Sequence, residues 1–146
     1  MIRPARADEA DALVAAYEWL FAPPGSRPPQ WDESRAAERL VSAIAAPGST
    51  VLVADDGGTV VGICTVYLDI ESVRFGRRAW VEDLAVDAAR RSAGIGKALL
   101  DAAKDWARAG GATHLELDSG EARTDAHRFY ERERPSHRSI SFGWQL

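Results

Sequence analysis

An α/β fold with one mixed central sheet and helices on both faces is predicted by three observations. Two helical segments precede the first strong strand pair. Two β-branched runs, Thr50–Ala54 and Thr59–Leu68, flank Asp55-Asp56-Gly57-Gly58, a strong hairpin signal. From Trp80 to Trp106 the chain then reads as strand, Gly-rich turn and long amphipathic helix, with a further strand beyond. Hairpins followed by a βαβ unit give antiparallel and parallel pairs in one sheet, in the order β-α-α-β-β-β-α-β-α-β.

Each element has its own warrant. Ile2–Ala5 is a short apolar start that suits an edge strand. Asp8 suits an N-cap, and Leu13, Ala16, Tyr17 and Leu20 fall at helical spacing, so a helix is expected at about 9–21. Ala22 to Gln30 holds four prolines and a glycine and reads as a loop. Asp32 can cap a second helix whose apolar face is Ala37, Leu40, Val41 and Ile44, ended by Pro47-Gly48. Residues 71–78 read as a polar connection, and Arg78–Val86 as the next strand. The helix from Gly94 to about Ala109 stops at Gly110-Gly111. A strand at His114–Asp118, a helix at about Arg123–Glu133 broken by Pro135, and an alternating strand at Ser139–Gln145 complete the chain.

The 146 residues form a single domain, 1–146, with 46% apolar residues to build a core. No run approaches the roughly 18 apolar residues of a membrane span, and the N-terminus has no signal-like apolar stretch. One cysteine, Cys64, forbids an internal disulfide and fits a cytoplasmic protein; in a strand it reads as core. A net charge of −4 argues against nucleic acid as the main partner. His114, His127 and His137 have no metal-site spacing.

The turn before the long helix decides the chemistry. A helix start presents unpaired N–H groups and partial positive charge to an anion. The simplest use of Gly94 and Gly96 is a tight turn, yet Arg90 and Arg91 stand where Ser, Thr or Asp would usually cap. Cations at that end cost roughly a few tenths of a kcal/mol, which a bound anion offsets. A dinucleotide fingerprint fails because its third glycine is Leu99, and a Walker loop fails at Arg91 and Ala98. Arg91-Ser92-Ala93-Gly94-Ile95-Gly96 satisfies R/Q-x-x-G-x-G/A. With Leu84–Asp87 upstream and Lys97–Leu100 downstream, the chain resembles the GNAT superfamily of N-acetyltransferases.

That resemblance implies splayed fourth and fifth strands with acetyl-coenzyme A between them as acyl donor, and no metal. Pantetheine would pair with backbone at Leu84, Ala85 and Val86, and the pyrophosphate would take N–H groups from Arg91, Ser92, Ala93, Gly94, Ile95, Gly96 and Lys97. A second segment, Ala126-His127-Arg128-Phe129-Tyr130, resembles the family's A-x-x-F-Y helix, whose tyrosine often protonates the leaving thiolate. Two departures stand beside it. Arg123 replaces an asparagine common in the family, and Glu133-Arg134-Pro135 replaces the usual Gly-Phe. Ser119 and Arg123 are candidates for the missing cofactor contact.

An amine acceptor must lose a proton before it attacks a thioester, and a carboxylate can take it. Glu82 and Asp83 interrupt an apolar strand, and Asp118 ends the neighbouring one. Period-2 alternation puts Glu82 on the face of Leu84 and Val86 and Asp83 on the other. The order of candidates for base or amine-orienting group is Glu82, Asp118, Asp83. Tyr17, Trp19, Phe21, Trp31 and Trp80 offer aromatic walls, so Trp19, Trp31, Trp80 and Asp83 are candidates for the acceptor side. The expected function is transfer of an acetyl group to a small-molecule or peptide amine by direct attack in a ternary complex, with Tyr130 as acid. The alternative is a non-catalytic acyl-CoA-binding regulatory or sensor module. The resemblance also suggests a homodimer, since homodimers are frequent in the family.

Overall fold

The computed structural model describes residues 1–91 and 93–146, so the expectation for Ser92 lies outside the described residues. The elements in order are β1 (Ile2–Pro4), α1 (Ala10–Phe21), α2 (Glu33–Ala45), β2 (Ser49–Asp56), β3 (Thr59–Ser72), β4 (Gly76–Val86), α3 (Ile95–Ala109), β5 (His114–Glu116) and α4 (Thr124–Arg132). One mixed sheet runs β1-β2-β3-β4-β5, antiparallel throughout except for the parallel β4–β5 pair.

The hairpin between β2 and β3 turns where Gly57 and Gly58 both take positive φ, +61° and +94°. Asp55 Oδ1 accepts the Gly58 N–H at 2.7 Å and closes the turn. α1 and α2 cover one face, where Leu13, Leu40, Val53 and Ile63 are buried together. α3 covers the other, with Leu99 and Ala103 packed on Cys64, Val66 and Val81. α3 approaches β3 closely: a Cβ on Gly62 would stand 2.9 Å from Leu99 Cδ1. Glycine there lets the helix, and the turn that leads into it, sit down on the sheet.

Three expectations change. The connection expected at 71–78 shrinks to a turn at 73–75, because Glu71 pairs with Arg77 and Ser72 with Gly76 in the β3–β4 ladder. The charged pair Glu71–Arg77 faces across it at 2.6 Å. β5 ends at Glu116 rather than Asp118, because its ladder with β4 stops there. Ser139–Gln145 forms no strand. Its alternation says which side chains would share a face, but among the described residues no strand lies beside it. Ile140, Phe142 and Trp144 are accordingly 76–81% exposed.

Candidate active site

The site begins where β4 and β5 part. Their register is Arg78↔His114, Ala79↔Leu115 and Trp80↔Glu116. The ion pair between Arg78 and Glu116 holds that end together, with Arg78 Nε 3.0 Å from Glu116 Oε1. It also keeps the Glu116 carboxyl below its usual range, the hydrogen bond from Arg78 being the main cause. Beyond Trp80, β4 continues to Val86 with β3 on one side only. Backbone groups pointing away from β3 at Leu84, Ala85 and Val86 therefore face an opening, as the edge of a sheet does.

A cavity of about 210 Å³ fills the mouth of that opening. Val81, Glu82 and Leu84 line one wall, and Leu117, Asp118, Ser119 and Gly120 the other. Arg123, Ala126 and Tyr130 come from the start of α4 and the turns that follow, and Leu20 from the end of α1. Of the four groups named from sequence for proton transfer, Glu82, Asp118 and Tyr130 thus stand on one cavity, and Asp83 does not.

Glu82 reaches it through a bulge. Thr65 pairs with Asp83 and Val66 with Val81, which leaves Glu82 as the extra residue of β4. A bulge bends the strand and breaks its alternation. Val81 and Leu84, three residues apart, can then pack on the same α3 face. Trp80 Nε1 donates to Glu82 Oε2 at 2.7 Å and orients the carboxylate.

Asp83 goes elsewhere. Its Oδ2 accepts from the Tyr17 hydroxyl at 2.7 Å and from Thr65 Oγ1 at 3.0 Å, on the α1 side of the sheet. Asp83 does not line the cavity. Burial, followed by the Asp83 charge, pushes the Tyr17 phenol far up. Trp31 packs in an aromatic cluster with Tyr17 and Phe21 at 5.4 and 4.8 Å between ring centroids. Trp19 lies against the same core. These two support the loop between α1 and α2, and neither lines the cavity.

Tyr130 is pushed up to about 12, chiefly by burial, with nearby Cys64 raising it and Arg123 lowering it. A phenol so placed keeps its proton at neutral pH and can donate it. Its hydroxyl makes no hydrogen bond to another described residue. Phe129, one residue earlier, turns to α3: a Cβ on Gly96 would lie 3.6 Å from its ring. Cys64 is fully buried and its thiol is likewise pushed up to about 12 by burial.

The turn into α3 has the form an anion site needs. Gly94 is the N-cap with φ +79°, a left-handed conformation that glycine adopts without strain. No side chain caps this end. The first helical bond runs from Ala98 N–H to the Gly94 carbonyl, so the N–H groups of Ile95, Gly96 and Lys97 have no helical acceptor. Arg90 is paired with Asp56, and Lys97 with Asp101 at 2.6 Å and Glu133 at 3.5 Å. Arg91 and Ala93 are exposed beside the turn. Ser119 Oγ is buried at the cavity without a partner among the described residues. This donor set of a free helix start, an open strand edge and an orphaned hydroxyl fits a phosphorylated, amide-bearing group such as coenzyme A.

The sequence did not single out Leu20 or Gly120 as cavity residues. It also left unseen the contact from Arg123 Nη2 to the Leu20 carbonyl at 2.9 Å. The one available signal was the departure at position 123 itself. Among the described residues, no helix is long and apolar enough to cross a membrane.

The model of the acetyltransferase (GNAT) family matches residues 13–134. The uncharacterized N-acetyltransferase YhdJ of Bacillus subtilis (strain 168) is 51% identical over 59 residues, which are 40% of this chain and 42% of that protein. The match thus spans less than half the length of that relative. Among solved structures, the ribosomal-protein-alanine N-acetyltransferase from Brucella melitensis biovar Abortus 2308 aligns with a TM-score of 0.81 at 22% identity. That alignment covers 100% of this chain and 99% of the other. The aminoglycoside N-acetyltransferase AAC(6')-Iy, in complex with CoA, aligns with a TM-score of 0.85 at 13% identity over 100% and 93%. At such identities the likeness is one of fold.

Proposed function

The chain belongs to the GNAT acetyltransferase family, and from that premise we propose that it moves an acetyl group from acetyl-coenzyme A to a primary amine by direct attack in a ternary complex. The observation that carries this reading is the parting of β4 and β5 beyond Trp80 and Glu116. It puts two carboxylates and a phenol on one cavity, next to a helix start with free N–H groups. The solved relatives named above act on amines by their names, an aminoglycoside in one case and a protein alanine in the other.

The acyl donor supplies an activated thioester. The backbone of Leu84 to Val86 would hold its pantetheine, and the N–H groups from Arg91 to Lys97 its pyrophosphate. Ser119 offers a polar contact at the cavity end, and Arg123 lies on the same lining, held by the Leu20 carbonyl. Glu82, oriented by Trp80, accepts the proton of the acceptor ammonium directly or through water, with Asp118 as the second candidate. Asp118 also accepts from Ser141 Oγ at 2.9 Å, so the C-terminal segment reaches this wall. Tyr130 gives its proton to the sulfur that leaves. The remaining catalysis is positioning of the two substrates. Trp80, bonded to Glu82, is the aromatic candidate for the acceptor side, while Asp83, Trp19 and Trp31 act by fixing α1 and its loop.

Thiol release from acetyl-coenzyme A over a panel of primary amines tests the reading. The buried Cys64 does not react in the native protein, so the signal reports the coenzyme thiol. Turnover on at least one amine is expected. Binding of acetyl-coenzyme A without turnover on any amine would favour the acyl-CoA-binding sensor instead.

A further inference from the structure

Arg123 stands at the N-cap of α4, seven residues before Tyr130, and both line the cavity. Its guanidinium donates to the carbonyl of Leu20, in the last turn of α1, across 103 residues of chain. Carbonyls at a helix C-terminus lack intrahelical partners and favour a cation. The contact has a built space. A Cβ on Gly25 would stand 2.1 Å from the Leu20 carbonyl oxygen and 2.6 Å from Arg123 Nη2. The turn that closes α1, with Gly25 N–H on the Ala22 carbonyl at 2.8 Å, needs glycine first because the Leu20 carbonyl lies so close, and the guanidinium occupies the space beside that same carbonyl. A helix cap alone would explain a cation at Leu20. It would not explain why the cation comes from the cavity wall that carries the acid.

We propose that Arg123 is a positioning residue that acts through Tyr130: anchored on the Leu20 carbonyl, its fixed positive charge stabilises the phenolate formed when Tyr130 protonates the leaving thiolate, and so ties the acid to the loop at the end of α1. This rests on the reading of Tyr130 as the acid. In the step, the amine nitrogen bonds to the acetyl carbon, the carbon–sulfur bond breaks, and the sulfur takes the phenolic proton. The phenolate then recovers the proton that the nitrogen loses, so the charges balance. Burial disfavours the phenolate, and a thiol is a stronger acid than a buried phenol, so the transfer runs uphill unless a nearby positive charge offsets that cost. Arg123 lines the same cavity as Tyr130, and its charge favours that anion. Arginine suits the task because it remains charged and presents several donors, so one can hold Leu20 while others face the cavity.

The test is a double-mutant cycle on thiol-release kinetics with saturating acetyl-coenzyme A and an accepted amine, using the wild type, Arg123→Gln, Tyr130→Phe and the double variant. Arg123→Gln is expected to lower kcat about tenfold with KM for acetyl-coenzyme A changed less than twofold. In the Tyr130→Phe background the same substitution is expected to change kcat less than twofold. Arg123→Lys, which keeps a charge, should recover most of the loss and guards against a folding defect. Equal losses in both backgrounds, or a loss confined to KM, would overturn the proposal and leave Arg123 a structural or cofactor-binding group. A Tyr130→Phe single variant with wild-type kcat would instead remove the acid reading beneath it, and that single measurement tells the two failures apart.

Discussion

Trp80 pairs with Glu116 in the last rung that joins β4 to β5, and the site opens immediately beyond it. The same strand then bulges at Glu82, so one short stretch of β4 both ends the pairing and turns a carboxylate to the gap. Opposite it, Tyr130 reaches the cavity because Phe129 anchors α4 against the start of α3.

Gly96 separates folding from binding. The Cβ of Gly96→Ala would meet Phe129 at 3.6 Å, an ordinary contact, so that variant should melt at or above the wild-type temperature. Gly96→Glu places a negative charge where the pyrophosphate would sit. It should abolish acetyl-coenzyme A binding by calorimetry while the circular dichroism spectrum is retained. Retained binding would remove the phosphate assignment of the turn.

Tyr17 and Asp83 join α1 to the sheet behind the site. Tyr17→Phe leaves Thr65 as the side-chain donor to Asp83 Oδ2. Losing a hydrogen bond to a charged, partly buried group costs about 1.5–3 kcal/mol. Urea denaturation should show that loss as a lower midpoint at unchanged slope. An unchanged midpoint would mean that the bond contributes nothing net.

Arg134 follows the end of α4 with φ +56°, in the left-handed region where helices commonly place glycine. An L-residue there costs about 1–2 kcal/mol, and glycine's greater freedom in the unfolded chain returns part of the gain. Arg134→Gly should therefore stabilise the fold by about 0.5–1 kcal/mol and raise Tm by about 2 °C. A lower Tm would show that the arginine side chain makes compensating contacts.

The pH dependence of kcat follows from the phenol. Because Tyr130 is held near 12 by burial, it stays protonated throughout the range in which an amine becomes neutral. The rate should rise with pH as the acceptor loses its proton, and then stay level to about pH 11. An alkaline fall centred near pH 9 to 10, absent in Tyr130→Phe, would show that the phenol in the working complex titrates far lower.

Much of this arrangement was legible in the sequence, for local reasons. Gly57-Gly58, Gly94 and Gly110-Gly111 each mark a backbone event, a turn, a helix start and a helix stop, and those boundaries are where the structure has them. Asp32 caps α2 as its type suggests, accepting the Arg35 N–H at 2.9 Å. The rest depended on partners far along the chain. Alternation along β4 assumes a regular strand, and the bulge at Glu82 is visible only against β3. An acid inside an apolar strand signals a buried partner, yet nothing near Asp83 names Tyr17, 66 residues away. Arg123 likewise reads as a cofactor contact until Leu20 and Gly25 stand beside it. The alternation of Ser139–Gln145 looks like a strand because period is local, while a ladder needs a neighbour.

The turnover number of Tyr130→Phe in thiol release, at saturating acetyl-coenzyme A and amine, tests the central claim most directly. Phenylalanine keeps the packing beside Phe129 and removes only the hydroxyl. The account predicts a fall in kcat of roughly 100-fold or more, the range of general acid catalysis, with acetyl-coenzyme A affinity unchanged. A kcat equal to that of the wild type would contradict it.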